Sequence, residues 1–240
     1  MKKYKYLLFD ADHTLLKYTL DEKDALRRLF SKIGLPTDEE VLLLANRFSE
    51  ETWTETGLYD VHSEEIQREY HNLYRTHLKG VFEKLFRLYP CDRSPEEVGE
   101  MFLLDLRKGG NYFPHTEEML QGLSDKTGGK YKICIITNGL AQIQYGRLEG
   151  LRKYFHKIYI SEEIGFIKPR LEFFEYILKD LPAKKEECLV IGDSLSSDIA
   201  GANAAGIDTC WFNTRDEENT KGAKIEFQIH SLKELLEKLQ

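Results

Sequence analysis

The sequence predicts an α/β protein in which helices cover a parallel sheet and an all-helical segment is inserted after the first strand. Three observations lead to this fold class. From residue 131 onward, short continuous apolar segments alternate with helical ones, which is typical of a parallel sheet buried on both faces. A similar apolar segment lies at residues 5–10, and residues 17–108 contain helical patterns without a convincing strand.

Six apolar segments are predicted to form the sheet. Each is short and continuous, and helical or turn-forming residues separate it from the next one. In chain order they are residues 5–10, 132–138, 157–161, 188–193, 208–213 and 227–230.

The inserted segment has the start and stop signals of consecutive helices. Gly34 and Pro36 follow an apolar stripe of helical spacing and predict the end of the first helix. We therefore expect two domains: an α/β domain of residues 1–16 and 109–240, and a helical domain of residues 17–108. Four helix starts are predicted from capping residues: Thr19 with Glu22, Thr37 with Glu40, Ser63, and Ser94 with Pro95.

The composition limits the possible partners. The chain has 240 residues and a formal net charge of -7, whereas nucleic-acid binding depends on Lys and Arg that neutralise phosphates. Its four cysteines include no C-x-x-C pair, and no apolar run reaches membrane-spanning length. We expect a cytoplasmic protein, a monomer or weak homodimer, that binds neither nucleic acid nor membranes but has room for a small anionic ligand.

Polar side chains follow four of the predicted strands at their carboxyl ends. Ligands of open parallel sheets bind beyond this edge, so we expect these side chains to share one site. Turns and helix caps explain single Asp and Asn residues at such positions, but they explain poorly why four strand ends carry such groups together. The residues are Asp10, Asp12 and Thr14 after the first strand, Thr137 and Asn138 after the second, Lys168 after the third, and Asp193 and Asp198 after the fourth.

These side chains suit phosphoryl transfer through a phosphorylated aspartate. A carboxylate can act as a covalent nucleophile, but its charge repels an anionic phosphate unless a cation neutralises it. Mg²⁺ prefers carboxylates, carbonyls, water and phosphate oxygens. We therefore expect Asp10 to be the nucleophile and to bind Mg²⁺ together with Asp193, while Asp198 acts on the ion directly or through water.

The remaining residues complete the predicted site. Thr137, Asn138 and Lys168 are expected to surround the phosphate oxygens and to stabilise charge during transfer. Asp12 is expected to act as the general acid and base, because residues 10 and 12 of an extended strand end point to the same side.

Two further positions are candidates for contacts with the substrate. His13 lies in the same loop as Thr14 and next to the two aspartates, so both residues are predicted to support the site. Trp53, with Tyr59 nearby, could stack on a base, although its helical spacing also fits packing in a core.

Four short motifs resemble those of the haloacid dehalogenase superfamily in order and separation: FDADHTL at 9–15, TNG at 137–139, KP at 168–169 and GDSLSSD at 192–198. The resemblance implies a Rossmann-like core with an inserted helical cap. It also implies Mg²⁺ bound by Asp10, Asp193 and the backbone carbonyl of Asp12. Dehalogenases proper lack an aspartate two residues after the nucleophile, whereas the phosphatases of the superfamily carry one. Because it has Asp12, the chain resembles the phosphatases.

A narrower resemblance links the chain to the noncanonical pyrimidine 5′-nucleotidases. It runs through ITNGLAQIQYGRL at 136–148, ISEEIGFIKP at 160–169 and GIDTCWFN at 206–213, and it implies hydrolysis of nucleoside 5′-monophosphates. Asn46 and Trp53 do not have the N-x-x-x-W spacing of that family. A phosphatase for another small metabolite, such as a sugar phosphate, is therefore an alternative, and a catalytically idle metal- or phosphate-binding module is a second one.

Overall fold

A parallel sheet connects the four motifs. In the computed structural model, which describes residues 4–220 and 222–239, six strands form one sheet in the order β3-β2-β1-β4-β5-β6. Every strand pair in this sheet is parallel, which confirms the predicted fold class. The strands are β1 (Tyr6–Phe9), β2 (Lys132–Thr137), β3 (Phe155–Ile160), β4 (Cys188–Gly192), β5 (Asp208–Phe212) and β6 (Phe227–Ile229).

Each strand ends one residue before its predicted end. The polar residues that follow, such as Asp10 after β1 and Asp193 after β4, leave the ladder and enter loops.

The helices are α1 (Tyr18–Ile33), α2 (Glu39–Glu55), α3 (Glu64–Phe86), α4 (Pro95–Leu106), α5 (Thr116–Leu123), α6 (Ala141–Arg147), α7 (Ser161–Ile164), α8 (Leu171–Asp180), α9 (Ala200–Ala204) and α10 (Leu232–Leu239).

The sheet is buried on both faces. Along β1, Leu7 and Phe9 belong to one apolar cluster, whereas Tyr6 and Leu8 belong to another on the opposite face. Residues from α5 and α10 complete the first cluster, and residues from α8 and α9 complete the second. Burial on both faces explains why the strands are continuous apolar runs rather than alternating ones.

The described residues fold into two compact units. The sheet unit contains residues 4–17, 110–141, 148–220 and 222–239, and the helical unit contains residues 18–109 and 142–147. Residues 142–147 belong to the helical unit although they lie between β2 and β3 in the sequence. A buried ion pair contributes to this arrangement, because Nε and Nη2 of Arg147 both lie 2.9 Å from Oδ2 of Asp21. The assignment of these units as separate domains stays a prediction.

The predicted helix starts are partly confirmed. Ser94 caps α4, since its hydroxyl accepts from the Glu97 N–H at 3.1 Å. The cap of α2 is Asp38 rather than Thr37, because the Asp38 carboxylate accepts from the Val41 N–H at 3.2 Å. Thr19 lies inside the first turn of α1, so it is not a cap.

In the described part of the chain, every helix is too short or too polar to cross a membrane.

Candidate active site

The register of the central strands brings three carboxylates together. Phe9, the last residue of β1, pairs with Ile135 of β2 and with Ile191 of β4, so the three strands end within two residues of one another. The Asp10 N–H extends this alignment by donating to the Ile191 carbonyl at 2.8 Å. One carboxylate oxygen from each of Asp10, Asp193 and Asp198 lies within 4.8 Å of the other two.

Lys168 lies between two of these acids. Its Nζ donates to Oδ1 of Asp10 at 2.6 Å, to Oδ1 of Asp198 at 2.6 Å and to the Ile136 carbonyl at 2.8 Å. The side chain is 2% exposed, and these three bonds use all three protons of the ammonium. Lys168 is therefore held in one position relative to the predicted nucleophile.

Asp198 is held from both sides. It lies in a short π-helical turn, Leu195–Ile199, where the Ser194 N–H donates to its Oδ2 at 3.1 Å. Its Oδ1 accepts from Lys168. These bonds indicate that Asp198 orients the ammonium, a role that was not predicted from the sequence.

Glycine at position 192 makes room for this arrangement. A Cβ atom built on Gly192 would lie 2.3 Å from Oδ2 of Asp198, well inside van der Waals contact. Any side chain at this position would therefore displace the Asp198 carboxylate. Gly192 lies in the GDSLSSD motif, but the motif spacing alone predicts no role for it.

The polar residues after β2 are placed differently from each other. Thr137 is the last residue of the strand and is buried. The side chain of Asn138 lies against the backbone of Lys168, since its Nδ2 donates to the Lys168 carbonyl at 3.0 Å and its Oδ1 accepts from the Lys168 N–H at 2.8 Å. The predicted phosphate contact of the Asn138 side chain stays a prediction.

The loop after β1 turns sharply beyond Asp10. Asp12 is half-buried and forms an isolated bridge with Leu16. His13 has a φ of 62°, a left-handed conformation that favours glycine. The Thr14 side chain is fully buried, and its hydroxyl has no hydrogen-bond partner within residues 4–220 and 222–239. The structure thus places Asp12, His13 and Thr14 in the loop beside the carboxylates without showing their predicted contacts.

Burial and crowding alter the acidity of the site. Burial raises the pKa of Asp193 to about 7, and the nearby Asp198 charge adds to this effect, while Lys168 and Arg215 oppose it. Burial also raises the pKa of Asp10 against the lowering effect of Lys168. For Lys168, burial lowers the pKa, but the charges of Asp10 and Asp198 outweigh it and raise the pKa overall.

The donor set fits a hard divalent cation. Carboxylate oxygens are the ligands that Mg²⁺ prefers, and three of them converge here, where the buried ammonium of Lys168 balances part of their charge. Asp198 has its two oxygens engaged by Ser194 and Lys168, which leaves Asp10 and Asp193 as the carboxylates better placed to bind an ion.

A polar cavity lies beside the acids. It has a volume of about 350 Å³ and is lined by the loops that follow β4 and β5, including Asp193, Ser196 and Arg215. Nη2 of Arg215 lies 3.9 Å from Oδ2 of Asp193. The sheet edge therefore offers open space next to the carboxylates.

A family model supports the resemblance seen in the motifs. The model described as haloacid dehalogenase-like hydrolase matches residues 7–212. The chain belongs to this family. The matched range includes all four motifs, from Asp10 to Asp198, so the family predicted from the sequence is confirmed.

Two curated relatives and one solved structure are similar to the chain over nearly its whole length. Pyrimidine 5′-nucleotidase PynA of Streptococcus pneumoniae is 30% identical, over 98% of this chain and 94% of the relative. Pyrimidine 5′-nucleotidase YjjG of Escherichia coli is 31% identical, over 97% and 96%. The structure of the HAD-hydrolase YfnB from Bacillus subtilis, bound to magnesium, is 27% identical, covers 100% of both chains and has a TM-score of 0.82.

Proposed function

We propose that the protein is a Mg²⁺-dependent phosphomonoesterase that works through a phosphorylated Asp10, and that its substrates are pyrimidine nucleoside 5′-monophosphates. The observation that carries the proposal is the buried group of Asp10, Lys168, Asp193 and Asp198, because it combines a nucleophile, a fixed ammonium and a donor set for a divalent cation.

The first step transfers the phosphoryl group to the enzyme. The Asp10 carboxylate attacks phosphorus, the bond to the ester oxygen breaks, and Asp12 gives its proton to the leaving alkoxide. Lys168 orients Asp10 through the 2.6 Å bond and stabilises the negative charge that shifts onto the phosphoryl oxygens. The products of this step are an alcohol and an aspartyl-phosphate.

The second step restores the enzyme. Asp12, now a carboxylate, takes a proton from a water molecule that attacks phosphorus, and the acyl-phosphate bond to Asp10 breaks. Inorganic phosphate leaves, Asp10 is again a free carboxylate, and Asp12 is again protonated. No redox partner or second substrate is required beyond water.

Asp10 and Asp193, with the backbone carbonyl of Asp12, are the groups proposed to hold Mg²⁺. When bound, the ion supplies positive charge that reduces the repulsion between a carboxylate and an anionic phosphate. This choice of ligands agrees with the position of Asp198, whose oxygens are engaged by protein donors.

The names of two relatives support the choice of substrate. Both are pyrimidine 5′-nucleotidases, and each aligns with nearly the whole chain at 30% or 31% identity. A phosphatase for a sugar phosphate would use the same core chemistry and is the alternative. The cytoplasmic location and the monomeric or weakly dimeric state stay predictions from the sequence.

The test is phosphate release from a panel of phosphorylated metabolites with and without Mg²⁺. We expect pyrimidine nucleoside monophosphates to be the best substrates, Asp10→Asn to abolish turnover, and Lys168→Ala to lower kcat by about 100-fold or more. Acid-quenched wild-type enzyme should yield a phosphorylated Asp10 peptide in mass spectrometry. The control is Asp208→Asn, because Asp208 lies at the opposite end of β5, where it accepts from the Tyr4 hydroxyl.

Different outcomes identify the part of the proposal that is wrong. Preference for sugar phosphates would reject the nucleotide assignment and keep the mechanism. Full activity of folded Asp10→Asn would reject the mechanism. A complete lack of Mg²⁺-stimulated phosphate release across the panel would favour the idle binding module.

A further inference from the structure

The ladder between β2 and β3 ends just before the site. Its last pair is Thr137 with Ile160, yet Lys168, eight residues farther along, must place its ammonium within 2.6 Å of Asp10. Lys168 lies between α7 and α8, outside the strands and helices of the sheet unit. Its backbone therefore needs support other than the ladder.

Two side chains provide this support beyond the last ladder pair. Asn138 binds the backbone N–H and carbonyl of Lys168 at 2.8 and 3.0 Å. Ser161 follows β3 directly as the first residue of α7. Its hydroxyl accepts from the Gly139 N–H at 3.0 Å and donates to the Gly139 carbonyl at 3.4 Å. We call the side chains of Asn138 and Ser161, with the backbone groups of Lys168 and Gly139 that they bind, the two-way clamp.

The two-way clamp acts in the same way as another ladder pair. The segment after β2 contributes Asn138 and the segment after β3 contributes Ser161, and each side chain binds a backbone N–H and carbonyl of the other segment. A shift of either segment alone would break these bonds. Ser161 is fully buried, so water cannot readily replace its hydroxyl as a partner. The loop after β2 is also held by the Ala141 N–H, which donates to Oε2 of Glu162 at 2.7 Å.

We propose that Asn138 and Ser161 are positioning residues that fix the Lys168 ammonium relative to Asp10 and to the phosphate-facing residues after β2. This inference rests on the proposed function. It gives the Asn138 side chain a role other than direct phosphate contact, because both ends of its amide are bound to Lys168. Misplacement of a reacting or stabilising group by about 1 Å can cost about 100-fold in rate.

The chain contains a matched control for Asn138. Asn203 binds the backbone of Lys224 in the same way: its Nδ2 donates to the Lys224 carbonyl at 2.9 Å, and its Oδ1 accepts from the Lys224 N–H at 2.8 Å. Asn203 lies in α9 and Lys224 precedes β6. The hydrogen bonds between these two residues therefore hold no predicted site residue. Asn138→Ala and Asn203→Ala therefore remove the same two hydrogen bonds at different places.

The first measurement compares steady-state kinetics. We expect Asn138→Ala to lower kcat by about 100-fold with KM within about threefold of wild type, and Ser161→Ala to lower kcat by about 10-fold. Asn203→Ala should stay within about twofold of wild type. Melting temperatures should fall similarly in the two Asn variants. A kcat for Asn138→Ala equal to that of Asn203→Ala would overturn the proposal.

The second measurement tests whether Asn138 acts through Lys168. In enzyme that already carries Lys168→Ala, the further change Asn138→Ala should have no additional effect on kcat. A purely structural role, or direct phosphate binding by the Asn138 amide, would lower activity in both backgrounds, and direct binding would also raise KM. Either of these results would overturn the proposal.

A crystal structure of Asn138→Ala gives a result that does not depend on activity. The distance between Nζ of Lys168 and Oδ1 of Asp10, 2.6 Å in the wild type, should exceed normal hydrogen-bond length, beyond about 3.2 Å. An unchanged distance would overturn the proposal even if the wild-type enzyme hydrolyses none of the panel, a failure that belongs to the proposed function alone. If Asn138→Ala does not fold, Ser161→Ala serves for the same measurements.

Discussion

At the scale of single residues, Gly192 decides whether Asp198 can reach Lys168. We expect Gly192→Ala to push the Asp198 carboxylate away from its partners, because the new Cβ would lie 2.3 Å from Oδ2. Overpacking of this kind costs about 1–3 kcal/mol of folding free energy, and the loosened ammonium should lower kcat at least about 10-fold. Urea unfolding and steady-state kinetics measure the two effects.

Gly99 provides the opposite case. It lies inside α4, and a Cβ there would meet the Leu78 Cβ at 3.6 Å, an ordinary contact. Alanine favours a helix interior over glycine by up to about 1 kcal/mol, so Gly99→Ala should stabilise the protein or leave it unchanged. If Gly192→Ala and Gly99→Ala had the same free energy of unfolding and the same kcat, crowding against Asp198 would not be the cause of the losses in Gly192→Ala.

Asp198 also shows what a sequence cannot reveal about single residues. The motif spacing places Asp10, Lys168, Asp193 and Asp198 at one sheet edge, and the structure brings them together. The pairing of Asp198 with Lys168 depends on the path of the π-helical turn, which the spacing does not encode. The burial of Ser161 could not be predicted either, because the SEE run at 161–163 has the composition of a solvated helix start.

At the scale of elements, the packing of α2 against α3 contains a buried imidazole. His77 is 3% exposed, with Nδ1 2.8 Å from the Thr52 hydroxyl and Nε2 3.3 Å from the Ser49 hydroxyl. The Trp53 indole packs edge-on against its ring. Trp53 thus contributes to packing in the helical unit, while its predicted stacking on a base stays a prediction.

The buried imidazole should make the helical unit sensitive to acid. Burial lowers the pKa of His77 to about 4, below its ordinary value of 6.5. The unfolded chain therefore binds the proton more readily, so the stabilising contribution is complete above pH 6.5 and is lost as the pH falls toward 4. Between pH 7 and 5 the loss amounts to about 2 kcal/mol.

His77→Gln tests this expectation. Urea unfolding at pH 7 and pH 5 should show a smaller pH dependence for His77→Gln than for wild type, by about 2 kcal/mol. His62→Gln, at an exposed position, should keep the wild-type pH dependence. An unchanged pH dependence in His77→Gln would mean that other groups cause the acid sensitivity.

The elements themselves were predictable to the extent that local signals determine them. The apolar runs identified every strand of the described sheet, and Gly34, with a φ of 77°, follows the end of α1 as expected. Thr37 was wrong as a cap because the neighbouring Asp38 occupies the cap position and accepts from the Val41 N–H. Thr19 was wrong because α1 already begins at Tyr18. Residues 142–147 carry no local signal for packing with the helices, since Arg147 is paired with the distant Asp21.

At the scale of the whole molecule, the site carries more negative than positive charge in the folded chain. The chain already carries a formal charge of -7, and three carboxylates converge at the site, two of which bind the ammonium of Lys168. Burying like charges at such distances raises the free energy of the folded state. A divalent cation at Asp10 and Asp193 would offset this repulsion and would bind the folded chain in preference to the unfolded one.

Mg²⁺ should therefore stabilise the protein even without substrate. A ligand at 100 times its Kd adds about 2.7 kcal/mol to the free energy of unfolding, which corresponds to a rise of about 5–10 °C in melting temperature for a chain of this size. Asp193→Asn should lose most of the Mg²⁺-dependent rise, because one of the proposed ligands is neutral. Asp208→Asn should keep it, since Asp208 lies at the other end of the sheet. An equal rise in both variants would place the stabilising ion elsewhere and would remove Asp193 from the proposed ligand set.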